Sequence, residues 1–224
     1  MDTTSWSLIH GAANGRRDAR EEFARRYIPV VRAYLCARWR QASKSDIVGD
    51  AVQEVLMECF RDEGVLEKAD SSFDGGFSAY LFGVARNVAR SFEKNARKNM
   101  SDGLASSIIR EGPSDPHDSP SRAFDRAWAQ SIMREAAEWQ RQRAAMLGEQ
   151  AQRRVELLKL RFEKGLPIRE IAEIWGEDAK RLHHDYAKAR REFREAVEDV
   201  VRSHGGTETH MQRQLGDLLE SLKS

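Results

Sequence analysis

Apolar residues recur at helical spacing along most of this chain. In the first hundred residues the pattern appears three times, over residues 23–35, 45–60 and 77–98, and each time the large side chains fall on one stripe. Intervals of three and four residues between apolar positions are typical of amphipathic helices. Val, Ile and Thr do not gather into the alternating runs that indicate strands. The chain is therefore predicted to be all-α.

A proline-rich segment divides this pattern into two parts. Residues 101–120 (SDGLASSIIREGPSDPHDSP) hold three of the five prolines of the chain. Proline lacks a backbone donor and forces the preceding residue out of the α region, so the segment is predicted to be a flexible linker. We expect two helical domains, at residues 1–100 and 121–202. A C-terminal tail, residues 203–224, contains four leucines that predict a short amphipathic helix.

The second domain ends in a helix, a tight break and a basic helix. A helix with Val155, Leu158 and Phe162 inward comes first, and residues 167–175 (PIREIAEIW) follow with their own apolar stripe. The next three residues, GED, break the pattern before a basic amphipathic helix at residues 179–194. This is the layout of a helix-turn-helix, whose second helix enters a DNA major groove. An ordinary helical hairpin without a DNA role is the alternative interpretation.

The helix at residues 77–98 has a basic outer face that only Glu93 interrupts. Such a face can follow phosphates, and its asparagine can reach a base edge. Phe73, Phe77 and Tyr80 stand at its start and suit stacking on unpaired bases. A solvated charged surface explains the same pattern equally well. The residues of this basic face are Arg86, Asn87, Arg90, Lys94 and Arg97, with Lys98 beside them.

The helix at residues 45–60 has a different outer face. Asp50, Gln53, Glu54 and Met57 are spaced at i, i+3, i+4 and i+7, so they lie together on one side of the helix. An acidic and amide patch that includes a methionine suits a protein interface. The alternative is an ordinary solvated face, and this alternative is favoured when the spacing is the only evidence.

Composition and the absence of known motifs exclude several classes of function. The net charge is only +1, so a nucleic-acid surface has to be a local patch that is offset by acid elsewhere. Two cysteines, Cys36 and Cys59, are too few for a disulfide framework and indicate a cytoplasmic protein. The first twenty residues lack the long apolar run of a signal peptide, and no apolar run reaches membrane-spanning length, so neither a signal peptide nor a membrane span is expected. It also lacks a phosphate loop, a nucleophile elbow and metal-ligand spacing, His183 and His184 included, so neither an enzyme nor a cofactor or metal is expected.

Taken together, three stretches resemble the sigma-70 family of bacterial transcription initiation factors, in its short extracytoplasmic-function class. Residues 46–60 (DIVGDAVQEVLMECF) resemble region 2.2, and residues 77–98 (FSAYLFGVARNVARSFEKNARK) resemble regions 2.3 and 2.4. The helix-turn-helix, with the helix before it, resembles region 4. The resemblance covers most of residues 15–200. The order of the stretches and the linker between them make the combination specific.

The resemblance implies an alternative sigma factor that binds core RNA polymerase and directs initiation at promoter DNA. Residues 1–100 would dock on the polymerase and melt the −10 element, and residues 121–202 would read the −35 element and contact the β flap. The loop Ser71–Gly76 would capture a flipped base. The residues that match the surface for the β′ clamp helices are Asp46, Asp50, Gln53, Glu54 and Met57. Those that match the −10 reader are Arg86, Asn87, Arg90, Lys94 and Arg97, and those that match the −35 reader are Lys180, Arg181, His184 and Lys188.

The sequence also departs from the family pattern. Tyr80 stands where many members have tryptophan, and the acidic run before region 2.2 is thinned to Ser43, Lys44, Ser45 and Asp46. Because some members are linked to Ser/Thr kinases, one hypothesis is that phosphorylation at Ser43 or Ser45 restores the negative charge. Control by an anti-sigma factor is common in the family. The alternative function is a stand-alone helix-turn-helix repressor or activator.

Overall fold

The structure, a computed structural model, describes residues 5–39, 46–98 and 119–205, together with residues 207, 209, 212 and 216. All regular elements in these ranges are helices, which confirms the all-α prediction. In chain order they are α1 (Ser5–Ala13), α2 (Arg17–Arg38), α3 (Asp46–Phe60), α4 (Gly76–Lys98), α5 (Pro120–Leu147), α6 (Glu149–Phe162), α7 (Ile168–Trp175) and α8 (Ala179–Ser203).

The described residues fall into two compact units. The first holds α1 to α4, α5 up to Ser131, and the chain from Arg202 onward to Thr207, residue 209 and residue 212. The second holds α5 from Ile132, then α6, α7, α8 up to Val201, and residue 216. The boundaries after Ser131 and after Val201 lie inside continuous helices. The predicted linker lies outside the described residues except for its end, where Pro120 begins α5, so the two-domain arrangement of residues 1–100 and 121–202 stays a prediction.

The first unit is built on an aromatic core. Phe23, Tyr27 and Tyr34 of α2 are all buried, and the Phe77 ring of α4 lies 5.9 Å from Phe23 and 5.2 Å from Tyr27 between ring centroids. Valines and an alanine of α3 close the other side of this core. Burying aromatic rings removes large apolar areas from water and provides most of the driving force for this packing. The predicted apolar stripes of the three helices therefore face one another.

The second unit forms around a smaller aliphatic core. The buried cluster joins Leu157 of α6, the apolar side of α7, and Leu182 of α8. The predicted inward positions of α6 are only partly confirmed, because Phe162 is 53% exposed while Leu157 and Arg154 are buried. Leu157 packs with the apolar side of α7, whereas Phe162 is not part of that cluster and its ring lies 6.5 Å from that of Tyr186 between centroids. The four leucines of the predicted tail helix lie outside the described residues.

Candidate functional site

A glycine and an aspartate produce the break between α7 and α8. Gly176 has φ of 65° and ψ of 33°, the left-handed conformation that ends a helix at little cost when there is no Cβ atom. The N–H groups of Gly176 and Glu177 donate to carbonyls in the last turn of α7. Asp178 then caps α8, since its carboxylate accepts from the N–H groups of Lys180 and Arg181, each at 3.3 Å. The predicted helix, break and helix are confirmed at these residues.

The basic side chains of the first half of α8 all lie on its exposed side. Asp178 ends the loop, and the helix then alternates between buried positions such as Leu182 and solvent-facing positions. A run of exposed cationic and imidazole groups on one helix face is the chemistry that contacts phosphates and guanine edges. The four residues predicted to read duplex DNA, all exposed, are Lys180, Arg181, His184 and Lys188.

Asp185 does not belong to that exposed face. It is half-buried and lines a groove of about 280 Å³ with Arg181, Glu177 and Trp175. Its negative charge contributes to raising the pKa of Arg154. Asp185 therefore lies beside Arg154 of α6, away from the exposed basic side of α8.

Arg154 is a structural residue of the second unit that sequence reasoning missed. It is buried, and its guanidinium donates to both carboxylate oxygens of Glu192 on α8, at 2.7 to 3.1 Å. It also donates to the Gln150 carbonyl at 3.1 Å. The hydrogen bonds to Glu192 raise the pKa of Arg154 above its ordinary value, and burial opposes them. This pair joins α6 to α8 and thereby orients the helix that carries the exposed basic face.

The basic face of α4 is exposed to solvent. Its helix begins at Gly76 with the apolar residues of the core stripe and ends with Arg97 and Lys98, where positive charge suits the helix dipole. The guanidinium of Arg86 lies 6.0 Å from the centre of the Phe82 ring, a cation–π contact that restrains its direction. The five predicted residues, Arg86, Asn87, Arg90, Lys94 and Arg97, are all exposed along this one helix.

Glu93, the single acidic residue of α4, is turned away from that face. Its carboxylate accepts from Arg38 Nε at 2.6 Å, Arg38 Nη2 at 3.0 Å and the Trp39 Nε1 at 3.1 Å. Burial alone would raise the pKa of Glu93, but the hydrogen bonds from Arg38 and Trp39 outweigh it and hold the pKa below its ordinary value. Its charge is therefore compensated within the bundle, and the exposed basic face of α4 carries no acidic side chain.

The loop at residues 71–76, here called the aromatic loop, leads into α4. Phe73 is 46% exposed, and its ring meets Tyr80 edge-on at 5.8 Å. Tyr80 is half-buried and donates its hydroxyl proton to the Val65 carbonyl. Phe77 is buried in the core, so it offers no free face to a base. Of the three aromatics that the sequence associated with base stacking, Phe73 is the one that solvent reaches most.

The outer face of α3 combines acidic, amide and apolar groups. Asp46, Asp50 and Gln53 are exposed, Glu54 is half-buried, and the Met57 side chain is 64% exposed. The predicted patch is therefore present as one accessible surface opposite the buried valines of the helix. Ser43 and Ser45, the candidate phosphorylation positions, lie outside the described residues.

Further findings bear on the class of protein. None of the helices in the described ranges has the length and apolar character needed to cross a bilayer. Within the same residues, no group of three or more His, Cys, Asp and Glu side chains is arranged to hold a metal ion. No family profile, curated protein or solved structure gives a significant match to this chain. A functional proposal therefore rests on the exposed surfaces of α3, α4 and α8.

Proposed function

We propose that this protein is an alternative sigma factor of the extracytoplasmic-function class, which binds core RNA polymerase and directs initiation at a two-part promoter. The observation that carries the proposal is the exposed basic face of α4, the helix that follows directly after the aromatic loop. Cationic groups that follow a backbone, next to an exposed aromatic ring, form the surface that holds unpaired nucleic acid. The inward turn of Glu93 keeps that face free of negative charge.

The helix-turn-helix supplies a second and different reader. Its exposed basic residues suit the major groove of duplex DNA, whereas the α4 face suits separated strands. A protein that binds both duplex DNA and separated strands is suited to a site where the duplex is opened, such as a promoter. Polymerase carries out the chemistry, and this chain supplies recognition and melting.

The α3 surface is assigned to the polymerase. Its exposed residues are acidic, amide and thioether groups, which do not favour DNA but suit a protein partner. Asp50 and Gln53 are accessible for charged and polar contacts, and Met57 offers an adaptable apolar contact at the same surface. We place the clamp helices of the β′ subunit at this surface, and the β flap at the second unit.

Transcription with purified components tests the proposal. Core RNA polymerase and a fragment library of genomic DNA are incubated with and without the protein, and the 5′ ends of the transcripts are sequenced. Specific start sites that appear only with the protein, preceded by a shared pair of motifs, would support a sigma factor. A stand-alone repressor would instead bind duplex DNA by itself and add no start sites.

Paired variants assign the surfaces in the same assay. Changing Gln53 and Met57 together to Ala should weaken core binding in a fluorescence titration, while the melting temperature stays close to that of the unchanged protein. The matched control is Glu21→Ala, an exposed residue of α2 that pairs with Arg17. Unchanged core affinity in the α3 variant would remove that surface from the proposal.

A further inference from the structure

Three residues that follow α8 run across the start of α4. His204, Gly205 and Thr207, here called the strap, belong to the first unit. The N–H of Phe77 donates to the His204 carbonyl at 3.1 Å, and the N–H and hydroxyl of Thr207 donate to the Asp74 carbonyl at 3.2 and 3.3 Å. The strap therefore holds the backbone of the aromatic loop on both sides of Gly76.

Two glycines make this close approach possible. Gly205 has φ of +70° and Gly76 has φ of +59°, conformations that L side chains rarely adopt. A Cβ atom on Gly76 would lie 2.4 Å from the Gly205 carbonyl oxygen, and one on Gly205 would lie 2.7 Å from the Ser71 carbonyl oxygen. Both distances are shorter than real carbon–oxygen contacts. The crossing of the two backbones thus depends on glycine at both positions.

The strap is anchored in the core at His204. Its imidazole is buried, with Nε2 at 3.2 Å from the Tyr27 hydroxyl and 3.3 Å from the Ser5 hydroxyl. The His204 and Trp128 rings also pack in a T-shaped arrangement, with 5.1 Å between centroids. A buried polar ring needs hydrogen-bond partners, and these hydroxyl groups provide them. The strap backbone next to it is consequently held against the loop.

The strap leaves the side chains of the loop accessible. It contacts carbonyl and amide groups, while Phe73 stays 46% exposed and Ser71, Ser72 and Asp74 are exposed as well. The loop adds its own turn, in which the Ser72 N–H donates to the Asp70 carboxylate at 2.8 Å. A segment that blocked the loop would cover these side chains. The strap instead supports the backbone of the loop and leaves its side chains open to solvent.

We propose that the strap is a positioning element for single-stranded DNA recognition: it holds the loop at residues 71–76 in the conformation that presents Phe73 beside the basic face of α4. The inference rests on the proposed function, because it assigns unpaired DNA to that surface. A loop that is already ordered loses less conformational entropy when a base binds. Release of the strap should therefore weaken binding of unpaired DNA and leave the α3 surface unaffected.

Variants of the strap separate this role from overall folding. Thr207→Pro removes both donors to the Asp74 carbonyl at an exposed position, while Thr207→Ser keeps both. Gly205→Ala forces the backbones apart, and Gly165→Ala is its matched control, since Gly165 has φ of +68° but a Cβ atom added there would meet no other atom within 4 Å. Each full-length variant is mixed with core polymerase and titrated with a fluorescein-labelled degenerate 12-nucleotide single strand, and amide exchange at Phe77 is followed by mass spectrometry.

The expected result is at least a fivefold loss of affinity for the single strand, with faster exchange at Phe77, in Thr207→Pro and Gly205→Ala. The two controls, and the affinity of all variants for core polymerase, should match the unchanged protein. Faster exchange with undiminished affinity for the single strand would overturn the positioning role, and so would tighter binding, which would make the strap an inhibitor. If the unchanged protein binds neither core polymerase nor the single strand, the proposed function itself fails.

Discussion

Glu93 gives the clearest quantitative prediction, because its carboxylate is the only acidic group of α4 and lies between two helices. Glu93→Ala removes three hydrogen bonds at once, two from Arg38 and one from Trp39. The side chains of Arg38 and Glu93 are 26% and 16% exposed, so the pair is neither fully buried nor a surface ion pair. Loss of this pair should therefore lower the free energy of unfolding by more than loss of an exposed pair does, and by less than loss of a fully buried pair.

The expected size follows from the partners that remain. Water can reach the Arg38 guanidinium in the variant, which limits the cost of leaving that charge unpaired. Trp39 is buried, and an indole N–H without an acceptor costs about 1–3 kcal/mol. With the lost charged hydrogen bonds partly replaced by water, we expect the free energy of unfolding to fall by about 2–4 kcal/mol. Exposed pairs contribute only about 0–1 kcal/mol.

Urea unfolding followed by circular dichroism measures this change, and Glu21→Ala serves as the exposed-pair control with an expected change below about 0.5 kcal/mol. The pH dependence gives a second check. Because the folded-state pKa of Glu93 is lowered, its stabilisation is complete above the ordinary pKa of about 4.3 and is lost as the pH falls through the lower folded value. The difference between Glu93→Gln and the unchanged protein should thus shrink in acid. A loss of stability in Glu93→Ala no larger than in Glu21→Ala would refute this reasoning.

Three further predictions concern the basic face, α6 and the cysteines. On the proposed function, Arg90→Ala should weaken single-strand binding by the complex of this protein with core polymerase and reduce the log–log salt slope by about 0.7, whereas Arg17→Ala should leave both unchanged. Arg154→Met should lower the free energy of unfolding by about 1–3 kcal/mol in urea, and a neutral result would contradict its structural role. In a thiol titration Cys36 should react before unfolding and Cys59 only after it, because burial raises the pKa of Cys59 to about 12; two fast thiols would contradict this.

Periodicity predicted most of the helices and most of their buried positions, but neither α1 nor the exposure of Phe162 on α6. The stripes through Tyr27, Val55 and Leu81 all face the core, and the break before α8 falls at the predicted residues. These features depend on local spacing, which a sequence displays directly. The exposed faces of α3, α4 and α8 follow from the same spacing, because the side opposite a buried stripe is open to solvent.

Contacts between residues distant in the chain were not predictable in this way. Glu93 reads as an interruption of the basic face until Arg38, 55 residues earlier, is placed beside it. Arg154 has no sequence signal for burial, because its partner Glu192 lies on another helix. The strap depends on the crossing of Gly76 and Gly205, and neither glycine indicates the other in the sequence. In each case a charged or small residue, of a type that is usually exposed, is held by a contact with a residue distant in the chain.

The positions of the charged surfaces explain the low net charge of the chain. Acidic groups such as Asp46 and Asp50 are exposed on α3, and cationic groups are exposed on α4 of the same unit, so +1 is the sum of separate faces of opposite sign. At physiological salt such faces act only over about 8 Å, and the free protein should bind bulk DNA weakly. On the proposed function, polymerase would bind α3 and hold both DNA readers near the promoter, so that affinity comes from effective concentration. Salt should then weaken polymerase binding and DNA binding separately, and DNA binding without polymerase should be weak at physiological salt and strengthen as the salt concentration is lowered.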